Sequence, residues 1–150
     1  MNTGKILKAW LLVGSLDIIA ACTQYYIKTG KNPENVLKYV ASAVFGKDAS
    51  AGGTMMSVYG LVFHFINALL FTLFFFFVVS KFRFASANRI LTGIGYGAFM
   101  WAVMRFLVLP LSNVQLLPLT LTGSLIAIAI LIICIGLPLS FIANSKTAQR

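Results

Sequence analysis

Three side chains with the capacity for chemistry stand inside otherwise apolar stretches of this chain: Asp17, His64 and Arg105. Asp17 lies in Gly14-Ser15-Leu16-Asp17-Ile18-Ile19-Ala20-Ala21, and the chain has only 3 acidic residues and 1 histidine to place anywhere. A charge at the centre of a bilayer costs at least about 2.5 to 3.5 kcal/mol, so an intramembrane carboxylate needs a partner and is a functional-site hypothesis by default. Beside a histidine it can exchange a proton, because imidazole titrates at about pH 6.5. Beside a guanidinium it forms an ion pair, which ties one helix to another.

Depth along each apolar stretch decides which of these groups can meet. At about 1.5 Å per residue, Asp17 falls roughly 16 Å from the inner end of a first helix and His64 roughly 15 Å from the outer end of a second. Arg105 falls about 22 Å along a third, one helical turn outward of Asp17, a gap that a long side chain can span by snorkelling. Gln24 follows Asp17 by seven and Asn67 follows His64 by three, so each extends a polar stripe along its own helix. The sequence therefore predicts an intramembrane cluster of Asp17, His64, Arg105, Gln24 and Asn67, with Asn113 and Gln115 continuing it towards water. Two readings of the cluster stay open. In one, Asp17 and Arg105 neutralise each other and the amides lock helices together; in the other, Asp17 and His64 move a proton or hold a small polar solute.

The elements that must position these residues follow from composition. The chain has 150 residues, 59% apolar and 10% charged, far below the roughly 25% charged content of soluble domains. Four stretches, 6–27, 54–80, 90–110 and 119–143, are long enough to cross a hydrocarbon core of about 30 Å. The expected fold is all-α: one transmembrane domain over 1–150, a four-transmembrane-helix bundle. In the first loop, Asn32-Pro33-Glu34 reads as a helix start, Val36, Leu37, Val40, Val44 and Phe45 recur at helical spacing, and Gly46 is a stop. This predicts a short amphipathic helix over 33–46, on the membrane surface or packed across the bundle mouth.

Gly93-Ile94-Gly95-Tyr96-Gly97 imitates a nucleotide-binding loop but follows no strand; Gly93 and Gly97 have the spacing that lets membrane helices approach closely. Phe74 to Phe77 read as a lipid-facing wall. Leu-Pro-Leu-Ser or Leu-Pro-Leu-Thr recurs at 109–112, 117–120 and 137–140. Pro110 is expected to end the third helix, Pro118 to open the fourth, and Pro138 to kink or end it.

Other chemistry finds little support. The 12 Lys and Arg residues behind the net charge of +9 are dispersed at segment ends, so no nucleic-acid face is expected. One histidine cannot supply a bis-histidine haem, Cys22 and Cys134 read as buried thiols, and Met55, Met56, Met100 and Met104 read as core filling; no metal or cofactor is expected. Cys22 after Ile19-Ala20-Ala21 could also mark a lipidation box, which Asp17 inside the supposed apolar region argues against. No Ser-His-acid set or paired extramembrane carboxylates suggest an enzyme. The partners expected are the bilayer and, through Gly93, Gly97 and the phenylalanine wall, a second copy or another membrane protein; a small solute or proton is the alternative.

Asp17-Ile18, Gly52-Gly53, Gly60-Leu61-Val62-Phe63-His64-Phe65-Ile66-Asn67-Ala68, Leu109-Pro110-Leu111-Ser112 and Gly136-Leu137-Pro138 together resemble a group of small, uncharacterised bacterial inner-membrane proteins with four helices. A weaker likeness, on a histidine-containing helix and a proline-rich exit, is to the YagU-type inner-membrane proteins associated with acid tolerance. The resemblance implies the fold and a bacterial cytoplasmic membrane, and carries no activity. Lys5, Lys8, Lys81, Arg83, Arg89, Lys146 and Arg150 against Lys28, Lys31, Lys38 and Lys47 put both termini in the cytoplasm by the excess of inside positive charge. Reporter fusions at residue 150 and near Lys47 should report opposite sides; a C-terminus labelled from outside intact cells would overturn this topology.

Overall fold

The structure, a computed structural model, describes residues 3–81 and 88–144, and every regular element among them is helical. Helix α1 spans Thr3–Thr29, α2 Glu34–Phe45, the single turn α3 Asp48–Ala51, and α4 Thr54–Lys81. Helix α5 spans Arg89–Leu111 and α6 Leu121–Ala143; α1, α4, α5 and α6 are long and apolar enough to cross a membrane. The protein is an all-α bundle of four such helices with α2 and α3 in its first loop, a multi-pass membrane architecture. Arg83, Lys146 and Arg150, used in the topology argument, lie outside the described residues.

Local chemistry sets the helix ends. Gly30 and Gly46 take positive φ angles of 65° and 62°, the left-handed geometry that stops a helix at little cost to glycine. Asn32 caps α2, its side-chain oxygen accepting from the Glu34 N–H at 3.0 Å, as the Asn-Pro-Glu pattern predicts. Asn88 caps α5 by accepting from the Ile90 and Leu91 N–H groups, both at 3.1 Å. Thr120 caps α6 through the Gly123 N–H, so the helix opens just after Pro118-Leu119.

Pro138 neither ends α6 nor leaves it regular. The helix continues through it, preceded by a wide π turn at Ile132–Gly136 in which the Leu137 N–H reaches back to the Ile132 carbonyl. Pro110 is preceded in the same way by a π turn at Met104–Val108, with the Leu109 N–H bonded to the Met104 carbonyl. A proline ring lacks a donor and collides with the carbonyl four residues before it, and widening the preceding turn is a way to accommodate both.

Packing is uneven along the bundle. The buried core gathers Ile6, Ala9 and Val13 of α1, Phe71, Phe75 and Phe76 of α4, Tyr96 and Met100 of α5, and Ile135 and Leu139 of α6. Apart from Met100 at mid-height, all lie in the half of the bundle that holds the two chain ends, where the Lys5 Nζ donates to the Ala143 carbonyl at 3.1 Å and the Ser140 hydroxyl to the Arg89 carbonyl at 2.6 Å. The phenylalanine run is not a uniform lipid wall: Phe75 is 1% and Phe76 8% exposed, against 44% for Phe74 and 54% for Phe77. Four consecutive residues at 3.6 per turn point all round a helix, so two must face the core.

Gly93 and Gly97 face α6. A β-carbon on Gly97 would lie 2.7 Å from the Ile132 Cα, and one on Gly93 2.9 Å from the Leu137 Cα, while Gly136 abuts the Gly93 carbonyl from the other side. Their free faces are used within the chain and are closed to a second protein. Gly95, two residues away, has open space around it. Gly97→Val should therefore lower stability in detergent by about 1 to 3 kcal/mol through overpacking, while Gly95→Ala should leave thermal unfolding unchanged or slightly raise its midpoint. Equal tolerance of both changes would contradict the α5–α6 contact.

Candidate functional site

The half of the bundle opposite the chain ends opens into a cavity of about 300 Å³. Helix α4 supplies Phe63, His64 and Asn67, α1 supplies Asp17, Ile18 and Ala21, and α5 supplies Met100 and Met104. Val36, Tyr39, Val40 and Ala43 of α2 cover it, joined by Ser112 and Val114 from the loop after α5. The walls are mainly apolar, so Asp17, His64 and Asn67, with the hydroxyls of Tyr39 and Ser112 at the cover, stand out as its chemistry.

Helix α2 can cover this space because it lies directly on α4. A β-carbon at Gly60 would strike the backbone carbonyl of Leu37, so only glycine permits the crossing at this distance. The Ser57 hydroxyl donates to Glu34 Oε1 at 2.7 Å, and Lys38 stands 3.8 Å from the same oxygen. From the other side, the Asn113 backbone and side-chain N–H groups donate to the Ala43 and Val44 carbonyls at 3.0 and 3.1 Å, satisfying acceptors that the end of a helix leaves free. Of the two placements the sequence allows for this helix, it takes the bundle mouth. Asn113 does not extend a polar track to water; it fastens the cover.

His64 is held by α1. Its Nε2 lies 2.9 Å from the Gly14 carbonyl; a carbonyl only accepts, so this bond requires the proton on Nε2. One residue on, the Phe65 carbonyl accepts from the Trp10 indole N–H at 2.7 Å, and Phe65 packs on Gly14. The imidazole is thus fixed by two contacts between α1 and α4. Asn67 donates to the Met104 sulfur at 3.4 Å, inside the first π turn, which ties α4 to α5 across the cavity.

Asp17 and Arg105 do not pair. Among the described residues the ion pair formed is Glu34–Lys38, and Asp17 lines the same cavity as His64. Arg105 lies outside the cavity, in a second cleft with Gln24, Tyr25 and Lys28, and its Nη2 donates to the Leu117 carbonyl at 2.8 Å. The five polar residues expected in one track therefore fall into two sites, Asp17, His64 and Asn67 in one and Gln24 and Arg105 in the other. The physical reason is reach: Arg105 extends toward the loop, where a guanidinium finds a backbone acceptor near the water boundary instead of a buried acid. Burial pushes the Tyr39 phenol, between the two sites, above its ordinary range, with the Arg105 charge opposing that rise; its hydroxyl stays protonated at neutral pH and donates to the Gln115 carbonyl.

Trp10 and Ser57 escape the sequence reading altogether, and Glu34 and Asn113, read there as a helix start and an extension of the polar track, turn out to build the site's cover. Their contacts join residues between 23 and 69 positions apart, and no local pattern announces them. Among the described residues no cluster of His, Cys, Asp and Glu could hold a metal ion. Compared with known proteins, the chain matches no family model, no curated protein and no solved structure.

The separate placement has a direct test in stability cycles. Asp17→Asn and Arg105→Gln should lower stability additively, within about 0.5 kcal/mol, whereas Asp17→Asn and His64→Gln should be non-additive. A coupling above about 1 kcal/mol between Asp17 and Arg105 would refute the division into two sites.

Proposed function

We propose that the covered cavity is a proton-linked site for a small polar solute, in which Asp17 and His64 share the titrating charge and Asn67 supplies a hydrogen bond. The observation that carries this reading is the cavity of about 300 Å³ with the chain's only histidine and its one intramembrane acid on its wall. That volume is at the small end of the range for ligand sites, about 300 to 1,000 Å³, and suits a solute of few heavy atoms or a short file of water.

The chemistry follows from His64. With Nε2–H committed to Gly14, a proton arriving at Nδ1 turns the ring into a cation beside Asp17, and the pair becomes neutral overall with both members charged. Its loss leaves a lone carboxylate in a low-dielectric site, which attracts either a proton or a cationic solute. Occupancy of the cavity and proton count are thereby linked. A path from the α2 end requires the cover to part, and its fastenings, Ser57–Glu34 and Asn113 to α2, are polar contacts that exchange with water at modest cost. Four helices are thin for enclosing a path through a whole bilayer, so transport favours an oligomer.

A second reading has its own observation. The His64–Gly14 and Trp10–Phe65 bonds join α1 to α4, as a helix-pairing lock would, and in that case the protein serves association with itself or another membrane protein. Proton flux in proteoliposomes, followed with a pH-sensitive dye, separates the two. A proton-linked site predicts flux in the wild type that both His64→Ala and His64→Gln abolish while the helices stay folded, since an amide cannot cycle a proton. A lock predicts no flux, tolerance of His64→Gln, which keeps a donor for Gly14, and a lower melting temperature for His64→Ala. Absence of flux from the wild-type protein defeats the transport reading.

A further inference from the structure

Helices α1 and α6 meet along their halves nearest the chain ends and part toward the α2 end. The gap is a groove of about 940 Å³, walled by Leu16, Ile19 and Ile27 of α1 and by Ile126 and Ile130 of α6. From Leu16 to Lys28 it runs roughly 18 Å at about 1.5 Å per residue, close to half the hydrocarbon core of about 30 Å. Its length is that of one leaflet.

At its upper end the groove opens into the Arg105 cleft, of about 460 Å³, and the two share Gln24, Lys28, Thr120 and Gly123. Two cations, Lys28 and Arg105, thus stand over one apolar furrow with hydroxyls from Thr120 and Ser124 beside them. Neither cation has a carboxylate partner: the ion pair among the described residues is Glu34–Lys38. Arg105 spends one nitrogen on the Leu117 carbonyl, and a guanidinium has five N–H donors, so most remain to be used. Arginine and lysine donors suit a phosphate through charge-assisted hydrogen bonds, and the furrow below is apolar over the length of one leaflet.

We propose that this groove and cleft form a binding site for one anionic phospholipid, its phosphate between Lys28 and Arg105 and one acyl chain along the α1–α6 furrow. The lipid would fill the gap between α1 and α6 on the side of the bundle where the core is thinnest. The site is separate from the covered cavity and does not depend on what that cavity does.

Thermal unfolding of the full chain in neutral detergent, titrated with phosphatidylglycerol, phosphatidylcholine of the same chains, or inorganic phosphate, tests this. Phosphatidylglycerol should raise the melting temperature, and the other two should not. Lys28→Gln and Arg105→Gln should each weaken the phosphatidylglycerol effect about fivefold. Ile126→Trp, which fills the furrow and keeps both cations, should weaken it as well, and Lys47→Gln should leave it unchanged. Should Arg105→Gln fail to fold, the exposed Lys28 still decides. Equal stabilisation by the two lipids, the same effect from phosphate alone, or binding unaltered in the Lys28→Gln protein would overturn the proposal.

Discussion

One close crossing organises the functional half of this protein: α2 lies on α4 where Gly60 meets the Leu37 carbonyl. A β-carbon there would lift α2 off the bundle, and with it the roof over Asp17, His64 and Asn67. The Ser57–Glu34 bond stands one turn before that crossing and the Asn113 contacts beyond it, and both require the helix already to be at that height. A single missing methyl group thus decides whether the polar residues face an enclosed space or open surroundings.

The two ends of the bundle answer different demands. Near the chain ends, Gly93, Gly97 and Gly136 bring α5 and α6 into backbone contact, and Tyr96 hydrogen-bonds the Phe71 carbonyl at 2.6 Å inside the core. In lipid, where hydrophobic burial gives helices no advantage over one another, such close packing and interhelical hydrogen bonds hold a bundle together. That closed end acts as a clamp. The other end separates around a cavity and a groove. The two π turns fall in different regimes, one placing Met104 on the cavity wall and Arg105 in the cleft, the other holding Ile132 and Gly136 against Gly97 and Gly93.

The charges are distributed by the same logic. A guanidinium on a long stem escapes to the loop and bonds Leu117, while a carboxylate on a short stem cannot leave the depth at which its backbone stands. Asp17 shares the cavity wall with His64, and the histidine is in turn oriented by Gly14. A carboxylate beside an imidazole keeps a partner that can exchange a proton, whereas a pairing with arginine would have fixed both charges.

Much of this architecture is legible in the sequence because it depends on composition and period. Apolar stretches of membrane-spanning length can only be helices, since lipid offers no partner to a backbone amide, and the Asn32-Pro33-Glu34 start and the Gly46 stop act within a few residues of themselves. The presence of Asp17, His64 and Asn67 at compatible depths is legible too, through the rise per residue. Which groups meet is not, because depth leaves the rotation of each helix undetermined. Arg105 has nearly the right height for Asp17 and faces another cleft; Phe75 and Phe76 turn inward while Phe74 and Phe77 do not. Rotation is set by Gly14 against Phe65, Gly60 against Leu37 and Gly97 against Ile132, contacts between residues distant in the chain. Tertiary packing alone separates the one polar track that depth allows into a covered cavity and a cationic groove.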